Sequence, residues 1–191
     1  PYMINDKSKI NIVEMKNSGT SIMQIDISDI PKLYENIGMV DINNLLLNLG
    51  EKIILVEGET DIVCLKKFQE FLEITERTTY LKLNGATHAK QICDFFQKNK
   101  ISNYYCLLDA DVKDVFKELK GNIVFIGEGT EEQSIEGLFN DNEKSMLLSK
   151  RIFQGKEKLK LDIVKFNKLS KDKLSEATMQ RFRKVFNNIG L

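Results

Sequence analysis

The sequence has one histidine and three cysteines in 191 residues, too few nitrogen and sulfur donors for an ordinary zinc site. Cys64, Cys93 and Cys106 are far apart, form no Cys-x-x-Cys pair and sit among apolar neighbours, so buried free thiols in a reducing compartment are expected. No run of eighteen apolar residues occurs, which excludes a helix spanning a membrane. No G-x-x-x-x-G-K-[ST] phosphate loop and no glycine-rich nucleotide fingerprint occur either, which excludes a complete ATPase site of that kind. The chain opens PYMINDKSK, without an initiator Met or the apolar core of a signal peptide. It therefore reads as cytoplasmic, and as the interior of a longer protein or the scar of an added segment.

What is present suits one α/β domain with appendages: 42% hydrophobic and 29% charged residues are ordinary for a chain with a real core. The net charge of zero hides an asymmetry. From Lys144 onward there are 13 Lys and Arg against 4 Asp and Glu, which leaves 15 basic and 24 acidic residues before it from totals of 28 each. An acidic body with a basic tail points to a cation site beside a polyanion surface, or more blandly to a solvated lysine-rich region.

Residues 10–27 alternate apolar and polar around KNSGT and predict a β-hairpin. Ser28-Asp29 predicts the cap of a short helix from near Pro31 to Gly38, while Asn43–Leu49 is apolar without a decidable form. Residues 1–51 hold too little apolar material for a domain and read as a linker ending something upstream. From Lys52 the rhythm becomes strand, helix, strand, helix. Strands are expected at 53–56, 78–83, 104–108 and 122–126, with a helix from Thr60 to Leu72 and another capped by Thr87. That alternation predicts a mainly parallel sheet with helices on both faces, over residues 52–139. Residues 140–191 read as a basic, mostly helical extension, with Gln180–Asn187 the last helix.

Ligands of such sheets bind beyond the carboxyl ends of the strands, and three of the four expected strands end in acid. The first runs into Glu57, with Asp61 one turn on; the third ends in Asp109-Ala110-Asp111; the fourth leads into Glu128, Glu131, Glu132 and Glu136. Alternation along a strand would turn Asp109 and Asp111 to one spot, and Glu57 would face them from a neighbouring strand. Carboxylates that close raise one another's pKa unless cations neutralise them, and oxygen-only donors suit Mg²⁺ or Mn²⁺. The bland alternative is helix capping. Glu59 and Glu131 suit a helix N-terminus, and Thr130 to Gln133 fits a capping box. His88, in NGATHAKQI, reads as a surface residue at a helix start, with contact to a phosphate as its second reading, shared with Lys90.

Val56-Glu57-Gly58-Glu59-Thr60-Asp61, followed about fifty residues later by Leu107-Leu108-Asp109-Ala110-Asp111, resembles a Toprim domain, the metal-binding fold of topoisomerases, bacterial primases and several nucleases. Within that group the first motif and its companion acid Asp61 are most similar to the nuclease part of the OLD (overcoming lysogenization defect) family, and LYENIGMVDINNLLL resembles its connector. The resemblance implies a Mg²⁺- or Mn²⁺-dependent endonuclease that hydrolyses nucleic acid, DNA first, with two ions. It implies Glu57, Asp109 and Asp111 as core ligands, with Asp61 and one of Glu132 or Glu136 completing the second ion's shell. It also implies a basic residue at the phosphate, offered by Lys150, Arg151, Lys156, Lys171 and Lys173, of which Lys156 is taken. An upstream or partner ABC-type ATPase and a role in phage defence are implied as well, and oligomerisation is left open. The rival is a non-catalytic Toprim-like module for nucleic-acid binding or assembly. A topoisomerase would need a tyrosine in a separate domain, whereas Tyr34, Tyr80, Tyr104 and Tyr105 all fall in expected elements of this one.

Overall fold

The computed structural model describes residues 9–16, 19–26, 51–83, 85, 88–116, 121–153 and 156–191. The expected helix near Pro31 and the stretch Asn43–Leu49 lie outside them. The first hairpin is formed as expected, with β1 (Lys9–Lys16) antiparallel to β2 (Gly19–Asp26).

The centre of the fold is a four-stranded parallel sheet made of β3 (Lys52–Val56), β4 (Thr78–Lys82), β5 (Tyr104–Asp109) and β6 (Ile123–Ile126), in the order β4-β3-β5-β6. Strand β3 is buried along its whole length because it lies inside the sheet and both of its faces are covered. Its residues divide by alternation: Ile54 and Val56 join one apolar cluster, Ile53 and Leu55 the other. Helix α1 (Glu59–Phe71) covers the first face with Cys64, Leu65 and Phe68. Helix α2 (Ala89–Lys98) covers the second with Ile92, Cys93, Phe95 and Phe96. All three cysteines are buried and free. Helix α2 has His88 at its N-cap position; Thr87, expected there, lies outside the described residues.

The basic segment after 140 contains α3 (Asp141–Leu147), α4 (Ile163–Asn167) and α5 (Glu176–Asn188). It adds what periodicity missed, an antiparallel hairpin of β7 (Leu148–Phe153) and β8 (Lys156–Leu161). Leu148 and Leu161 close its base in the first apolar cluster, while Ile152 and Leu159 further out are exposed. That mixture blurred the alternation that marks a strand with one dry face.

Helix α5 belongs to the same core as the sheet. Phe182 stacks on Phe68 with ring centroids 3.5 Å apart and planes 8° from parallel, and Phe139 and Phe166 close round Phe68. The start of α5 is tied to that of α3 by Glu143, which is buried and accepts from the amides of Asn140 and Ser175 at 2.9 and 2.6 Å and from the Thr178 hydroxyl. Burial opposes the Glu143 charge, but these donors together hold its pKa below the ordinary carboxylate value.

Candidate active site

Parallel pairing puts the carboxyl ends of β3 and β5 side by side. The register Val56↔Leu107 brings Glu57, just past β3, level with the end of β5, where the Asp109 amide donates to Glu57 Oε1 at 2.8 Å. Asp61 sits in the first turn of α1, and its Oδ2 accepts from the Gly58 amide at 2.9 Å. Asp61 thus closes the helix start as half of a capping box while contributing charge to the strand ends.

Asp111 arrives by another route than strand alternation. Strand β5 stops at Asp109, and Ala110–Val112 form a 3₁₀ turn, held by the Ala110 amide on the Gln133 carbonyl at 2.7 Å. Asp111 still lines the same cavity as Asp109, about 260 Å³, together with Glu131, Glu132, Ser134, Lys158, Leu159 and Lys160.

The two acids expected after the fourth strand fare differently. Both oxygens of Glu132 are taken by Lys144 Nζ, at 2.7 and 2.6 Å. Glu136 is buried; its Oε2 accepts from Ser134 Oγ at 2.7 Å. Its Oε1 lies 3.2 Å from Lys160 Nζ, close enough for an ion pair but outside hydrogen-bond geometry. Thr130 to Gln133 starts no helix: Thr130 Oγ1 donates back to the Gly127 carbonyl at 2.7 Å, and Gln133 adopts a positive φ of 49°. Pairing and turn formation there are tertiary effects that override the local cap pattern.

The pKa shifts report the crowding. Burial, then the Asp61 and Glu57 charges, push Asp109 up to about 8. Burial and Glu136 push Asp61 up to about 6, against the Gly58 amide bond. Burial also raises Glu57; the Asp109 amide opposes and Asp111 adds to the rise. Lys160 is the cation among them. Burial works against its charge, but Glu136, Asp109 and Asp61 outweigh that and raise its pKa.

Lys160 is the residue the sequence reading passed over. The side chain of Lys156 lies outside the described residues, Lys171 pairs with Glu73 at 3.3 Å, and Lys150 is on the other side of the hairpin from Lys160. Strand periodicity over KEKLKL would have put Lys160 on one side with Lys156 and Lys158, but no sequence signal separates the three.

Among the described residues, no group of three or more His, Cys, Asp and Glu is set to hold a metal ion as it stands. The donor set nonetheless fits a hard divalent cation. It is all oxygen, partly buried and strained by its own like charges, and Lys160 supplies the counter-charge in this arrangement.

One glycine ties the loop to the site. Gly127 has φ +76°, and a Cβ there would run into the backbone of Ser134 and of Gln133, whose carbonyl holds the Ala110 amide. Gly127→Ala is expected to destabilise the chain by about 2 kcal/mol or more. Urea denaturation measures this, and a midpoint unchanged from wild type would show that the loop absorbs the methyl group.

Comparison with known proteins agrees with this architecture. No curated protein and no solved structure gives a significant match. Residues 49–111 match the family described as Overcoming lysogenization defect protein-like, TOPRIM domain. The matched stretch runs from just before β3 to Asp111 and so contains Glu57, Asp61, Asp109 and Asp111, whereas Glu132, Glu136 and Lys160 fall beyond it. Over that stretch, about a third of the chain, the sequence is similar to the Toprim domain of OLD-like proteins, a fold associated with work on nucleic acids, and the parallel strands with acidic ends are consistent with it.

Proposed function

We propose that the acidic strand ends form the centre of a Mg²⁺- or Mn²⁺-dependent endonuclease acting on DNA. The observation that carries this is the meeting of Glu57 and Asp109 at adjacent strand ends, with Asp61 and Glu136 in their field and Lys160 over them. Glu57, Asp109 and Asp111 would be the core ligands, and Asp61 with Glu136 would complete the set for a second ion. Glu132 would join only by giving up Lys144. Bound divalent ions would make an attacking water more acidic and offset charge on the phosphate.

The remaining work falls to this chain's own groups. The Asp109 amide fixes one oxygen of Glu57 and would leave the other to meet an ion. The Gly58 amide does the same for Asp61. Lys160 contacts Glu136 while the acids carry their own repulsion, and its ammonium would turn to a non-bridging phosphate oxygen once that repulsion is relieved. An upstream or partner ABC-type ATPase, as the family resemblance implies, would then govern access to DNA.

A second reading, a non-catalytic binding or assembly module, draws on one observation: no ligand shell is already assembled among the described residues. Digestion of supercoiled and linear plasmid with Mg²⁺, Mn²⁺ or EDTA separates the two. Metal-dependent cutting is expected, with Lys160→Ala slowing it about 100-fold while the chain stays folded by circular dichroism. Folded wild-type protein that binds Mn²⁺ and DNA but cuts neither plasmid would favour the binding module.

A further inference from the structure

The β7–β8 hairpin has two unlike sides. Directly opposed residues of an antiparallel pair share a side, and the register pairs Ser149 with Lys160, Arg151 with Lys158 and Lys150 with Leu159. One side therefore carries Lys160, Lys158 and Arg151, and the other carries Lys150, Leu159 and Ile152. Lys160, at the inner end, reaches Glu136, and the strand from Lys158 to Lys160, Leu159 included, lines the same cavity as Asp109 and Asp111. Arg151 and Lys158 are exposed, and neither has an ion-pair partner among the described residues.

Acids at the strand ends repel a polyanion, so a phosphodiester backbone that reaches them needs cations fixed at the mouth of the cavity. We propose that the Arg151/Lys158 side of the hairpin is the track that holds the DNA backbone and leads it to Lys160 and the acidic strand ends. This rests on the nuclease reading and gives that site its substrate surface. Residues two apart on a strand are about 6.8 Å apart, so Lys158 and Lys160 form a ladder of fixed pitch. A ladder of point charges grips backbone without reading bases.

The test is fluorescence anisotropy of a labelled DNA duplex of about 30 base pairs, in EDTA so that nothing is cut, across a KCl series. Backbone contacts contribute about 0.9 each to the salt slope. Arg151→Ala with Lys158→Ala is expected to weaken binding about 10-fold at 0.1 M salt and to lower the slope by about 2. Ile152→Ser on the other side, and Lys171→Ala with Lys173→Ala in the turn before α5, are expected to leave both unchanged. Thermal melts confirm that each variant is folded. Wild-type affinity and slope in the Arg151/Lys158 variant overturn the track, as does a wild-type chain that fails to bind the duplex. Mg²⁺-dependent plasmid cutting and its loss in Asp109→Asn judge the nuclease reading separately.

Discussion

Asp109→Asn is expected to raise the melting temperature of the metal-free protein at pH 8 while sharply slowing Mg²⁺-dependent cleavage. The Asp109 carboxyl is partly buried, faces the Asp61, Glu57 and Glu136 charges with only Lys160 in opposition, and is pushed up to about 8 from an ordinary 3.8. A folded-state pKa above the unfolded one means that the native state binds more protons between the two values. Stability is then fullest below about pH 4 for this group and is lost as pH rises towards 8. Asp61, pushed up to about 6, adds to the same decline over the lower part of that window. The asparagine keeps the shape and removes the charge. A gain of about 1–3 kcal/mol at pH 8 follows, well short of the full shift at about 1.4 kcal/mol per unit, because the acids share the strain.

Divalent ions act in the opposite sense. On the proposed reading they would bind the deprotonated acids, so Mg²⁺ is expected to raise the wild-type melting temperature more at pH 8 than at pH 5.5. In Asp109→Asn this response should shrink sharply, and plasmid cutting should fall about 100- to 1,000-fold. Differential scanning calorimetry at the two pH values, with and without Mg²⁺, reads the first outcome, and gel electrophoresis reads the second. An asparagine variant with the wild-type pH profile and undiminished cutting would remove Asp109 from the site.

Phe182→Ala is expected to cost about 3–5 kcal/mol, the largest stability loss from any single side chain considered. Phe182 is fully buried, stacked on Phe68 at 3.5 Å, and 5.5 Å from the ring of Phe139. Truncation leaves a cavity where α5 meets α1, between elements more than a hundred residues apart. The rings on its rim sit in a packed core and cannot collapse fully into it. A fall of roughly 10 °C in melting temperature follows for a chain of this size. The effect on DNA cutting should track the folded fraction and vanish at low temperature, unlike that of Asp109→Asn. If the loss were below about 1 kcal/mol, α5 would be only loosely attached to the sheet.

The two variants mark which parts of the molecule were legible beforehand. Strands β3 and β5 were plain because an interior parallel strand is apolar on both faces, so a short run such as Ile53–Val56 announces itself without any partner. The acids at their ends were plain for the converse reason: charge beside a buried strand needs an explanation. The placing of Asp111 on strand alternation missed the turn that begins at Ala110, since the Ala110 amide that anchors it donates to the carbonyl of Gln133, twenty-three residues on. The capping pattern at Thr130 was likewise a locally sound signal that the Gly127 turn overrides.

Composition, the order of elements from β3 to β6 and the two acidic motifs were determined by the sequence alone, because burial pattern and charge placement are local properties. Only the tertiary structure decided which cation stands over the acids and which of Glu132 and Glu136 joins them. Lys160 shares its side of the hairpin with Lys158 and differs from it by lying next to Leu161, whose docking with Leu148 into the core holds that end of the hairpin at the acids. Glu132 is withdrawn by Lys144, from a helix that forms after it, whereas Glu136 is buried facing Lys160. Charges of one kind are interchangeable along a chain; they become distinct only when the fold fixes the distances between them.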